Sequence, residues 1–85
     1  MQTIDEIAPG EGTIIKVNGK NTAVYKDKSG KIQMMSSICT HFGCEVRWNT
    51  KEKTWDCPCH GSRFAANGKV IKGPAVNDLI RLRPA

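Results

Sequence analysis

Every cysteine and every histidine of the 85-residue chain falls in two hexapeptides, Cys39-Thr40-His41-Phe42-Gly43-Cys44 and Cys57-Pro58-Cys59-His60-Gly61-Ser62. Each carries a cysteine–histidine pair at short range, Cys39-x-His41 and Cys57-x-x-His60, and one further cysteine. Two thiolates and two imidazoles make a four-ligand set of soft and borderline donors, which suits zinc or an iron–sulfur centre. A plain zinc site takes four ligands and would leave Cys44 and Cys59 without a role. For such a site to close, the fold must bring two segments that are distant in sequence to one end of the molecule.

The rest of the chain reads as short strands between turns, without a helical period. Ala8-Pro9-Gly10-Glu11-Gly12 separates an initial segment from a strand over about 13–17. Asn18-Gly19 is a two-residue hairpin turn of the kind that needs positive φ. The return strand covers about 22–26, with Val24 on one face and Ala23 and Tyr25 on the other. Asp27-Lys28-Ser29-Gly30 turns the chain into 32–36, where Ile32 and Met34 alternate with Gln33 and Met35. Past the first hexapeptide, a strand over 45–48, a turn at 49–53 and a strand over 54–56 form a hairpin that sets the two hexapeptides side by side. Trp48 and Trp55 are placed to pack across it. Asn67-Gly68 marks a further hairpin turn before a strand over 69–71, Gly73-Pro74-Ala75 makes a loop, and 79–82 supplies a closing strand. The expectation is one all-β domain over residues 1–85. Its base covers about 1–38 and 65–85, and an inserted, site-bearing subdomain covers about 39–64. A domain this small cannot bury a large core unaided and leans on a staple or a metal.

The pattern C-x-H-x15-C-x-x-H, set in C-T-H-x-G-C and C-P-C-H-G-S, resembles the Rieske iron–sulfur family in its disulfide-bearing branch, found in cytochrome bc complexes. The match holds position by position except at Phe42, where the respiratory proteins have Leu. The resemblance implies small antiparallel sheets and a [2Fe–2S] cluster on two loops. Cys39 and Cys57 would bind the inner iron, and His41 and His60 the outer one. It also implies a disulfide between Cys44 and Cys59. Gly43 and Gly61 would permit tight turns that bring backbone N–H groups toward the sulfurs, Ser62 would donate to a sulfide, and Pro74 would belong to a third loop covering the cluster. Phe64 stands where the respiratory relatives carry a tyrosine that hydrogen-bonds a ligand cysteine, which implies a lower potential. Two neutral imidazoles in place of thiolates put such clusters at about −150 to +300 mV.

By this likeness the chain is a one-electron carrier without catalytic residues of its own, partnered by a flavin domain or another redox protein. Three stretches, residues 5–12, 55–64 and 73–76, resemble the Rieske domain at the C-terminus of FAD-dependent oxidoreductases of the amine or amino-acid oxidase type. FAD would then belong to the parent chain alone, and this chain reads as a domain cut from it. The alternatives are a quinol-oxidising subunit of a cytochrome bc complex and, from another class, a structural zinc module that binds a protein partner. The Rieske centres of ring-hydroxylating oxygenases generally lack the extra cysteine pair. A thiol–disulfide switch on Cys57-Pro58-Cys59 competes with the ligand role of Cys57. The net charge of +5 can steer an acidic redox partner, but the basic residues form no tight cluster interleaved with aromatics, as a nucleic-acid surface would. No apolar run reaches membrane-spanning length and no signal-peptide core opens the chain. The expected location is cytoplasmic, where a disulfide persists only if it is shielded.

Overall fold

Asn18 and Gly19 both take positive φ, 51° and 80°, and fold β1 (Glu11–Val17) back onto β2 (Lys20–Lys26). A turn of this twist matches the strands on either side, so the ladder runs to the turn itself, with Val17 opposite Lys20. β2 therefore starts two residues earlier than the local pattern indicates, and at the far end of the ladder Glu11 pairs with Lys26 and starts β1 two residues earlier as well. Asp27 holds the next turn by accepting hydrogen bonds from the Ser29 and Lys31 N–H groups and leads into β3 (Ile32–Ser36). The computed structural model describes residues 4–40, 43–59 and 61–82.

The remaining strands are β4 (Arg47–Asn49), β5 (Thr54–Asp56), β6 (Arg63–Ala65), β7 (Val70–Lys72) and β8 (Arg81–Leu82). They complete two four-stranded antiparallel sheets of order β1-β2-β3-β8 and β4-β5-β6-β7. The expected all-β architecture of small antiparallel sheets is what the chain adopts. Several element limits differ. Glu45 forms only an isolated bridge with Ile38, so β4 starts later than expected. Leu79 gives its N–H to the Gly68 carbonyl at 2.8 Å and is buried, which leaves only Arg81 and Leu82 to close the first sheet. The initial segment makes one 3-10 turn at Ile4–Glu6, because Ile4 and Ile7 cover the outer face of the first sheet beside Ile15 and Val24. The second sheet takes in β6 and β7 and so runs on to Lys72.

The main core lies between the sheets. Ala23 and Met35 from the first meet Val46, Trp55, Phe64, Ala75 and Leu79, and both Cys39 and Cys57 belong to the same cluster. Val24 faces away from it, into the outer cluster, as the alternation along β2 requires. Gly12 lets β1 approach the second sheet closely: a Cβ there would sit 2.9 Å from the rings of both Trp48 and Trp55. The neighbouring Glu11 ties the sheets together. Its carboxylate accepts from Trp48 Nε1 at 3.3 Å and Thr50 Oγ1 at 3.0 Å and pairs with Lys53 Nζ.

Lys53, which donates to Glu11, is the largest influence holding that carboxyl below its ordinary value; partial burial opposes it, and Thr50 and Trp48 add to the lowering. A depressed folded-state pKa stabilises above the unfolded pKa, and that contribution disappears as pH falls through the folded value. Glu11→Gln keeps an acceptor for Trp48 and Thr50 but loses the ion pair. With Lys53 half exposed, the loss is expected to be about 0.2–1 kcal/mol at neutral pH. The gap between wild type and variant should close at acid pH, below the folded-state pKa of Glu11. Thermal unfolding followed by tryptophan fluorescence at both pH values measures this; a gap that persists in acid would rule out the ion pair as its cause.

Candidate metal centre

The two hexapeptides fold into loops with the same hydrogen-bonded closure. In the first, the Cys39 N–H donates to the Cys44 carbonyl at 2.7 Å and the Gly43 N–H to the Cys39 carbonyl at 3.1 Å. In the second, the Cys57 N–H donates to the Ser62 carbonyl at 2.8 Å and the Gly61 N–H to the Cys57 carbonyl at 3.2 Å. The glycine occupies the same place in each loop and takes positive φ in both, 75° at Gly43 and 80° at Gly61. Side chains adopt that conformation at a cost, which is why glycine stands there. Each closure thus begins on one of the two cysteines expected to bind iron.

Those two cysteines are free thiols. They are buried, with Cys39 2% and Cys57 4% exposed. The other two form the bridge implied by the resemblance: Cys44 and Cys59 are joined across the loops with a Cα–Cα separation of 6.5 Å. The Sγ atoms of Cys44, Cys57 and Cys59 all lie within 4.8 Å of one another. A bonded disulfide offers no thiolate, so Cys57 is the one residue of that trio with a free thiol. His41 and His60, the two expected imidazole ligands, lie outside the described residues, as does Phe42. Within the bridge, Cys59 is exposed and Cys44 is half-buried.

A third loop is tied to both cysteine loops by hydrogen bonds. Gly73-Pro74, joined by a cis bond, delivers the buried Ala75, whose N–H donates to Ser62 Oγ at 3.0 Å. Ser62 is 1% exposed, and accepting this bond leaves its own hydrogen available for a further acceptor. Thr40 in the first loop donates to the Asn77 carbonyl at 2.7 Å. The segment from Pro74 to Asn77 is thereby fastened to both cysteine loops, although Pro74 itself is exposed.

Support from below comes from the hairpin. Trp48 and Trp55 face each other across β4 and β5, with ring centroids 4.9 Å apart in an edge-on contact. Phe64 is fully buried opposite Trp55, as a core aromatic. The sequence reading missed Asp56, which immediately precedes Cys57. Its carboxylate accepts from Asn49 Nδ2 at 2.9 Å, Thr54 Oγ1 at 2.7 Å and Arg63 Nε at 3.1 Å, and so ties three strands at the base of the second loop. Burial raises its pKa, but the hydrogen bonds from Asn49 and Thr54 together with the charge of Arg63 outweigh it, and the carboxyl lies below its ordinary range. Thr54, two residues before Asp56 on the same strand, is the one of these partners that lies nearby in sequence.

The donor set suits an iron–sulfur cluster: two buried free thiols in matched loops, a bridge that locks those loops together, and a serine hydroxyl with a hydrogen to give. Such sulfur ligation selects iron–sulfur clusters or zinc. Comparison with known proteins separates them. Residues 1–83 match the family model described as the Rieske [2Fe-2S] domain. YhfW of Bacillus subtilis, named as a Rieske 2Fe-2S iron-sulfur protein, is 48% identical over 75 residues, covering 88% of this chain and 15% of that one. The cytochrome b6-f complex iron-sulfur subunit of Synechococcus sp. (strain JA-2-3B'a(2-13)) is 58% identical over 45 residues, 53% of this chain and 26% of the subunit. The chain thus spans only a minor part of these relatives' length. Among solved structures, the plasma membrane Rieske protein PetC3 from Synechocystis PCC 6803 superposes with a TM-score of 0.74 at 39% identity, covering 84% of this chain and 73% of that one.

Proposed function

This chain belongs to the Rieske [2Fe-2S] domain family, and on that premise we propose that it relays single electrons through a cluster held by Cys39, His41, Cys57 and His60. The observation that carries this reading is the pair of buried free thiols, Cys39 and Cys57, each at the start of an identically closed loop and flanked by the Cys44–Cys59 bridge. The cluster, when bound, takes up and releases one electron. Everything else is done by the chain. The Gly43 and Gly61 turns shape the loops, the bridge keeps them from separating, and the Ser62 hydroxyl offers a donor that favours added negative charge. The core from Trp55 to Leu79 excludes water from one side.

The setting we propose is a longer polypeptide whose other part is an FAD-dependent oxidoreductase, with the flavin domain as electron donor or acceptor. The likeness of residues 5–12, 55–64 and 73–76 to that group supports it, and the small share of YhfW that this chain matches is consistent with a domain within a longer protein. A second reading, a quinol-oxidising subunit of a cytochrome bc-type complex, is favoured by similarity to cytochrome b6-f iron-sulfur subunits, 42% identical over 66 residues in one from Synechocystis. No helix among the described residues is long and apolar enough to cross a membrane. The protein expressed from its complete reading frame separates the two. Bound flavin that reduces the cluster in a single-turnover stopped-flow measurement supports the first; a flavin-free protein whose cluster is reduced by a quinol supports the second.

Phe64→Tyr is expected to raise the midpoint potential. A phenolic hydroxyl near a ligand thiolate stabilises the more negative reduced state. A hydrogen bond to a charged acceptor is worth about 1.5–3 kcal/mol, and the potential registers only the part that differs between redox states. Protein-film voltammetry on both proteins reads the shift; an unchanged or lowered potential would refute the role assigned to the missing hydroxyl.

A further inference from the structure

Cys57 stands beside a disulfide as well as in a ligand position. Its sulfur lies within 4.8 Å of both sulfurs of the Cys44–Cys59 bridge, and it is itself a free thiol. Thiolates attack disulfides through a mixed-disulfide rearrangement that needs access and proximity and no external oxidant. We propose that Cys57 and the Cys44–Cys59 bridge form a thiol–disulfide exchange centre, silent while Cys57 is bound to iron and active once the cluster is lost. The inference rests on the reading of Cys57 as a cluster ligand.

The step balances within the chain. The Cys57 thiolate attacks Cys44 Sγ, the Cys44–Cys59 bond breaks as the Cys44–Cys57 bond forms, and the electron pair leaves on Cys59 Sγ. That sulfur then takes a proton equivalent to the one Cys57 gave up. Two thiols and one disulfide exist before and after. Cys44 is the target because a bridge from Cys57 to Cys59 would close a small ring across Pro58, whose φ is fixed, whereas a Cys44–Cys57 bridge still joins the two loops. The consequences follow from burial. A buried ligand thiol is consumed and an exposed one, Cys59, is released. Cluster loss thereby diverts a share of the chains into a form that lacks the Cys57 thiol and takes up no new cluster until the exchange runs back or a dithiol reductant opens the bridge.

The test uses the iron-loaded wild-type protein under argon. Native alkylation comes first and checks the premise: Cys57 should be unreactive while iron is bound. Iron and sulfide are then removed in acid with a chelator, where thiols are protonated and exchange is stopped, and sulfide is swept out by the gas. On return to mildly alkaline pH, timed samples are alkylated, digested and mapped by tandem mass spectrometry. Free thiols should remain at two per chain, as for Cys39 and Cys57 at the outset. The label should move from Cys57 to Cys59 in about half of the chains, as expected for two inter-loop bridges of similar strength in competition. Cluster reassembly should fall in proportion and recover on adding a dithiol reductant. Label that stays on Cys57 with the Cys44–Cys59 bridge intact at all times would overturn the exchange while leaving the ligand assignment standing. Cys57 alkylated in the iron-loaded protein would overturn the ligand assignment and the silencing with it.

Discussion

Cys57→Ser protein is expected to purify without colour, its iron and acid-labile sulfide falling from about two of each per chain to background. The thiol removed is free and 4% exposed, and its backbone N–H closes the second loop on Ser62. Serine keeps that backbone closure, but its hydroxyl is a poor substitute for a soft thiolate. Because metal binding at such a site is part of the folding free energy, the variant should also unfold at a lower temperature than the loaded wild type. Cys59→Ser provides the contrast. It removes the bridge and not a ligand, and for a span of 15 residues the chain-entropy account gives a loss of about 3 kcal/mol. That protein should carry iron when made at low temperature and lose it on warming. Iron, sulfide and thermal unfolding measured on both variants decide the matter: full iron in Cys57→Ser would remove Cys57 from the ligand set.

Trp55→Ala is expected to be the most damaging single change outside the loops. The indole is fully buried, stacks edge-on against Trp48, faces Phe64 across β6 and donates from Nε1 to the Ala66 carbonyl at 3.0 Å. Truncating a core tryptophan costs about 3–5 kcal/mol, against a total of about 5–15 kcal/mol for a domain of ordinary stability. Here the void would open in the layer that joins the sheets and lies under the cysteine loops. Chemical denaturation should show the midpoint falling steeply or the variant failing to fold. Trp55→Phe, which keeps an aromatic ring but loses the indole N–H, should retain more than half of the stability. A midpoint within 1 kcal/mol of wild type for Trp55→Ala, well below the cavity cost, would contradict the packing account.

Much of this arrangement is legible in the chain because it is local. The spacing inside each hexapeptide carries the donor set, Asn18-Gly19 announces its turn through the backbone angles it tolerates, and the alternation of Val24 with Ala23 and Tyr25 assigns the faces of β2. The pairing of Cys44 with Cys59 came from likeness, and the structure bears it out. What stayed hidden is either too short or too distant. β6 is three residues leaving a loop, with no room for a period to show. Glu11 meets Trp48, Thr50 and Lys53 across 37 to 42 residues, so its role at the joint between the sheets has no local signature. The need for glycine at position 12 becomes visible only once both indoles are placed beside it. The exposure of Cys59 likewise has no signature in the residues beside it.

The central claim is that this chain binds a [2Fe–2S] cluster through two cysteines and two histidines. It is tested most directly by electron paramagnetic resonance of the dithionite-reduced protein, with iron and sulfide determined on the same sample. The account predicts about two iron and two labile sulfide per chain and a rhombic signal whose average g value lies below that of clusters held by cysteine alone. A colourless protein with about one zinc per chain and neither iron nor labile sulfide, as a four-ligand structural site would give, would contradict it.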